Sequence, residues 1–183
     1  MTGKPFRPAR ARRRLAASKR RARGATALEF ALILPFFILV VTMILELSFV
    51  FVVQEMLDNA ARDAARQLRI GNLSGSSYAS SLTTVICNDL TFSKFTLVPS
   101  CASNIQLYVA AAASGSPAGY GFTTLKTAAV SGQTMAQTQA TVSANYDVLL
   151  QIGYSYPWML PGLKLVTGNA MLISTIAFQT EPY

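Results

Sequence analysis

From Ala25 to Val53 the chain reads ATALEFALILPFFILVVTMILELSFVFVV, with only Glu29 and Glu46 charged. As a helix this run reaches about 44 Å at about 1.5 Å per residue, against a hydrocarbon core of about 30 Å. It is long enough to cross a bilayer with length to spare. A removable signal peptide has an apolar stretch of only about 7 to 15 residues and closes on small residues. No such closure stands at Glu46, Leu47 or Ser48. The run is therefore expected to remain in the protein as a membrane helix.

Charge sets its direction. Of the sixteen basic residues in the 183-residue chain, ten lie before Ala25 (Lys4, Arg7, Arg10, Arg12, Arg13, Arg14, Lys19, Arg20, Arg21, Arg23), with no acid among them. The rest carries six basic against eight acidic residues, so the net +8 describes a short leader and not a basic binding face. That excludes a nucleic-acid surface, which needs Lys and Arg spread over a folded domain. Positive residues flank the cytoplasmic end of a span. The expected topology is one crossing, N-terminus inside and C-terminal part outside.

Enzyme chemistry finds little to work with. The chain has no histidine, which removes Ser-His-Asp and Cys-His sites, histidine-ligated zinc and imidazole proton transfer. Two cysteines cannot complete a structural zinc site, and there is no phosphate loop or paired-carboxylate constellation. We expect no catalytic residue, no metal, no cofactor and no small-molecule substrate.

At the junction stand Arg20, Arg21, Ala22, Arg23, Gly24, Ala25, Thr26, Ala27, Leu28, Glu29 and Phe30. A glycine directly after a basic block, with a glutamate five residues later inside the apolar run, resembles the processing site of type IV pilins. More narrowly, it resembles the TadE-like minor pilins of the tight-adherence (Tad) pilus. The resemblance implies that a membrane-embedded prepilin peptidase cuts between Gly24 and Ala25, leaving Glu29 as fifth residue of the product. Pro35 in ALILPFFILV and Glu46 in MILELSF fall where that family typically carries a proline and a late glutamate. Asn59 to Arg66 is similar to its NAAREAAR-like stretch.

The spacing also has a physical reading of its own. Cutting after Gly24 would create an ammonium on Ala25 at the lipid edge, and a buried carboxylate on a neighbouring subunit could neutralise it. An unpaired charge at mid-helix costs about 2.5 to 3.5 kcal/mol on insertion scales, and pairing lowers that cost. Alternatively, Glu29 sits in the headgroup zone of an uncleaved anchor. Pro35 lacks a donor and is expected to kink or open the helix. Glu46, about 24 Å along the axis from Phe30, either reaches the outer headgroups or pairs with another component.

Gln54 to Ile70 reads as a continuing stalk. Leu57, Ala60, Ala61, Ala64, Ala65 and Leu68 recur at helical spacing, Asp58 with Arg62 and Asp63 with Arg66 are placed for pairing, and Gly71 is a stop. The small alanine stripe permits close approach of another element. The remaining residues form an outer domain with strands expected over Ile105–Val109, over Ala140–Tyr156, where apolar residues alternate with mostly polar neighbours and only Leu149 and Gly153 blur the polar side, and over Met171–Gln179. A turn is expected over Pro157–Gly162, capping its own core or contacting a partner, and a surface excursion over Thr123–Gln139. Cys87 and Cys101, outside the membrane in this topology, are read as a disulfide, with a free buried pair as the alternative.

The expected organisation is a leader (1–24), a transmembrane helix (25–53), a stalk helix (54–71) and a periplasmic domain (72–183). The fold class is α+β: a long N-terminal helix with a small antiparallel sheet. The expected setting is the bacterial inner membrane, with lipid, the peptidase, other pilins and the pilus assembly machinery as partners. The competing expectation is an uncleaved, signal-anchored periplasmic binding or adhesion module.

Overall fold

The computed structural model describes residues 9–73, 77–92, 95–96, 98, 100–115, 120–159, 162, 164–165, 168 and 170–182; side chains are described from residue 27 onward, except those of 92, 95 and 96. In chain order the elements are α1 (Ala9–Arg69), α2 (Ala79–Asp89), β1 (Thr91–Phe92), β2 (Phe95–Thr96), α3 (Cys101–Asn104) and β3 (Ile105–Ala113). A 3₁₀ turn (Tyr120–Thr123) follows, then β4 (Val130–Ser131), β5 (Thr134–Met135), β6 (Thr138–Gln139), β7 (Tyr146–Tyr156) and β8 (Ala170–Gln179). The result is the α+β class expected. The chain forms two compact units, Met1–Leu45 and Glu46–Tyr183.

The first unit is the N-terminal part of α1. Leu28, Phe30, Leu32, Ile33, Phe36 and Phe37 are between 62% and 74% exposed. From Ala27 to Leu45 this helix is apolar almost all round and largely exposed, the pattern suited to lipid. Ala27–Arg69 is the one helix among the described residues long and apolar enough to cross a membrane, by length and composition. The Thr42 hydroxyl lies 2.9 Å from the carbonyls of Ile38 and Leu39, so it needs no water. Helical assignment continues through Pro35.

In the second unit the same helix becomes a core element. Leu57, Ala60, Ala61, Ala64 and Leu68 have no exposed surface, and Val53 and Ala65 have almost none. They join Leu82 and Ile86 of α2, Ile105, Leu107 and Val109 of β3, and Val148, Leu150, Ile152, Tyr154 and Tyr156 of β7 in one cluster. Alanines at these positions let the helix lie close to the sheet, where a larger side chain would hold it off. The expected Asp58–Arg62 and Asp63–Arg66 pairs do not form. Asp58 accepts a hydrogen bond from Gln54 (3.2 Å), and the ion pair among the described residues is Arg69 with Glu181, exposed at 3.2 Å.

The main sheet has the order β6-β3-β7-β8. β7 is antiparallel to β3 from Ile105↔Tyr154 to Ala113↔Tyr146, and to β8 from Asp147↔Gln179 to Tyr156↔Ala170. β6 runs parallel to β3, so the sheet is mixed and not wholly antiparallel. Gln54 of α1 donates to the Ile173 carbonyl on β8 at 3.2 Å. At the far end the Glu181 amide donates to the Arg69 carbonyl at 3.0 Å.

The start of the long alternating segment needs correction. The alternating segment begins at Tyr146 and not at Ala140, because Asn145 takes a left-handed conformation (φ 58) that ends the extended run before it. On its polar side Asp147 and Gln151 are buried. The residues expected to form a surface excursion lie over that face. Gln151 accepts from the Ala128 amide and Gln106 from the Met135 amide, while the Tyr108 hydroxyl donates to the Lys126 carbonyl (2.9 Å). Side-chain amides thus serve the backbone of a segment too polar to pack by hydrophobicity.

Cys87 and Cys101 form a disulfide joining α2 to α3, with Cα atoms 5.8 Å apart. Closing a loop of this size contributes on the order of 3 kcal/mol. Helix α2 itself was not anticipated. Within the predicted turn, Leu160 and Pro161 lie outside the described residues, as do residues 1–8 of the leader.

Candidate functional site along the apolar helix

The sequence-predicted residues are carried on α1, and the structure separates them sharply. Gly24 and Ala25 fall within α1, with their side chains outside the described set. Glu29 is exposed, flanked by exposed Leu28 and Phe30. No hydrogen bond or ion pair from the described residues reaches it. In hydrocarbon such a carboxylate lacks water, and the described residues supply no intramolecular substitute. Pro35 is exposed on the same stretch.

Glu46 differs in every respect. It is 4% exposed, and its Oε1 accepts a hydrogen bond from the Met159 backbone amide at 2.8 Å. A contact across 113 residues of chain thus ties α1 to the connection between β7 and β8. The Tyr156 hydroxyl, buried with no hydrogen-bond partner, feels the same carboxylate. Burial, and then the negative charge of Glu46, raise its pKa. Both act in one direction, because each disfavours a phenolate. The expected alternatives for Glu46 were headgroups or another protein, and the partner found is this chain's own backbone.

The connection is built on aromatic packing. Trp158 meets Tyr156 edge to face, centroids 5.5 Å apart, and its indole donates to the Gly168 carbonyl at 2.8 Å. Beside it opens a hollow of about 310 Å³ lined by Asn104, Gln133, Ser155, Tyr156, Trp158 and Lys164. Trp158 itself is partly buried against the core cluster, whereas Met159 is 65% exposed. The turn therefore caps its own core and still presents an apolar side chain outward.

Elsewhere the domain offers little chemistry. No group of three or more His, Cys, Asp or Glu residues that could hold a metal occurs among the described residues. Asp147 is fully buried, with neither carboxylate oxygen hydrogen-bonded. A side chain on Gly121 would meet its Oδ2 at 2.8 Å and the Ala113 carbonyl at 2.9 Å. Gly121 therefore permits the 3₁₀ turn to close over β7. Tyr78 donates to the Ala140 carbonyl at 2.6 Å, and burial pushes its hydroxyl up to about 12.

Comparison with known families bears out the resemblance over part of the chain. Residues 24–66 match the model of the family described as TadE-like protein. The match begins at Gly24, the residue before the expected cut, and ends at Arg66, the last residue of the alanine-rich stretch. It includes Glu29, Pro35 and Glu46 and leaves the sheet outside. Comparisons with curated proteins and with solved structures returned no match.

Proposed function

We propose that the chain is a pilin-like subunit of a Tad-type type IV pilus, inserted once in the bacterial inner membrane by residues 25–53, with the stalk and the sheet domain that follow on the periplasmic side. A prepilin peptidase removes the basic leader between Gly24 and Ala25, and the matured subunit takes part in pilus assembly and surface adhesion. Incorporation into the fibre would bring it out of the cell. The observation that carries this reading is Glu29: an exposed carboxylate in an apolar stretch of helix, without a partner among the described residues, within the segment that matches the family.

The role of each residue follows from charge. Gly24 offers the peptidase a position without a side chain. Ala25 becomes the new N-terminus and supplies an ammonium at the lipid boundary. Glu29 accepts that ammonium from an adjoining copy or another pilin, a pairing that relieves two costly charges together and fixes the axial offset between helices. Pro35 leaves one carbonyl of the span without its usual amide donor.

N-terminal sequencing of protein extracted from native membranes tests the reading. The expected first residue is Ala25, and a chain that keeps its arginine-rich start while fibres grow normally would overturn it in favour of an uncleaved anchored module. Gly24→Ala should retain the leader. Glu29→Ala should still be cut yet yield no assembled fibre, seen by shearing fibres from cells and blotting.

A further inference from the structure

We infer that the connection between β7 and β8 is a second membrane contact, seated in the lipid interface where α1 emerges, with Met159 and Leu165 entering the outer edge of the bilayer. This rests on the proposed reading that α1 crosses a bilayer. It adds a surface that the span does not require, and the lipid it contacts is the leaflet facing the sheet domain.

The argument starts from levels along α1 within the second unit. Leu47, Phe49, Phe51 and Val52 are 41% to 70% exposed, so the apolar outer surface of the helix continues past Glu46. Apart from Ser48, the first polar side chains after Glu46 are Gln54 and Glu55. Glu46 lies about 12 Å below Gln54, at about 1.5 Å per residue. Its bond to the Met159 amide therefore holds the start of the connection, at Met159, some two turns beneath the point where α1 becomes charged. In water this end of the domain would leave Leu47, Phe49, Phe51, Val52, Met159 and Leu165 wet together. Placed at a bilayer, the same groups meet acyl chains and headgroups.

The composition of the connection fits that layer. Met159 is 65% and Leu165 89% exposed, and neither is needed to fill the core. Trp158 combines an apolar ring with a satisfied indole N–H, the character of an interfacial residue. Lys164 is exposed beside the hollow lined by Trp158 and can extend its amine to lipid phosphates. Glu46, buried and hydrogen-bonded, is kept out of the acyl chains that its neighbours touch. A lone exposed methionine would mean nothing. The tether that fixes its depth gives it meaning.

Trp158 is the only tryptophan in the chain, so its fluorescence reports this connection alone. The full chain is reconstituted in vesicles of phosphatidylethanolamine and phosphatidylglycerol, with lipids brominated either high on the acyl chain or near the bilayer centre. The expected result is loss of about half the emission with the shallow quencher and clearly less with the deep one. The double variant Met159→Ser with Leu165→Ser, which changes only exposed side chains, should reduce the shallow quenching about two-fold without shifting the melting temperature. Unquenched emission from protein that stays with the vesicles through an alkaline wash overturns this inference and leaves the span standing. Protein released by the wash overturns the span and this inference together.

Discussion

Glu29 and Glu46 are the two acids of one apolar run, yet the fold treats them oppositely. The first is exposed on a stretch that packs against none of the described residues; the second is buried and held by a backbone amide. The same contrast divides the helix. Up to Leu45 its apolar side chains point outward all round, and beyond Gln54 its alanines and leucines disappear into the core. Hydrophobicity alone does not distinguish a helix built for lipid from one built for a sheet. The distinction lies in side-chain size: Phe, Ile and Leu fill the lipid-facing part, whereas Ala60, Ala61, Ala64 and Ala65 permit close packing.

If that division is real, equal truncations should have unequal costs. Leu57→Ala, at a site with no exposed surface, should destabilise the folded domain by about 2 to 5 kcal/mol, whereas Ile33→Ala should stay within about 0.5 kcal/mol. Thermal melts of the full chain in detergent would compare them, and similar losses would break the contrast. The glutamates sharpen it at smaller scale. Glu46→Ala should cost about 1 kcal/mol by removing the part-buried bond to the Met159 amide. Glu29→Ala should leave the melt unchanged and act only on assembly.

The smallest effect concerns pH. Burial raises Tyr78 from its ordinary value of 10.0 to about 12, and raises Tyr154 and Tyr156 in the same direction. The folded state keeps these protons where the unfolded chain releases them. The Tyr78 contribution is thus complete below pH 10.0 and is lost as pH climbs toward about 12. Denaturation followed by far-ultraviolet circular dichroism should show that decline in the second unit, with a shallower slope in Tyr78→Phe. The exposed part of α1, which has no tyrosine, should keep its helicity.

Much of the second unit was legible from pattern. β3, the second half of the long alternating segment, β8 and the alanine stripe of α1 all declared themselves by spacing, and the cysteine pair by compartment. Helix α2 did not. Its core contacts reduce to Leu82 and Ile86, and the intervening Thr83, Thr84 and Val85 suit strands as readily. Ala140, Val142 and Ala144 continued the alternation without a strand behind it, since small side chains fit either state. Neither the cover over Gln106 and Gln151 nor the Met159 partner of Glu46 could be read from residue types. In each case a side chain meets a backbone amide, and every residue but proline carries one.

Gln54 has one more consequence. By donating to the Ile173 carbonyl it occupies a hydrogen-bonding group on the sheet's outermost long strand, and does so from the helix that lies alongside. Unblocked rims of sheets invite another molecule to zip on, and proteins gathered at high density meet that hazard constantly. At that one carbonyl the stalk helix stands where the edge of another molecule would otherwise pair.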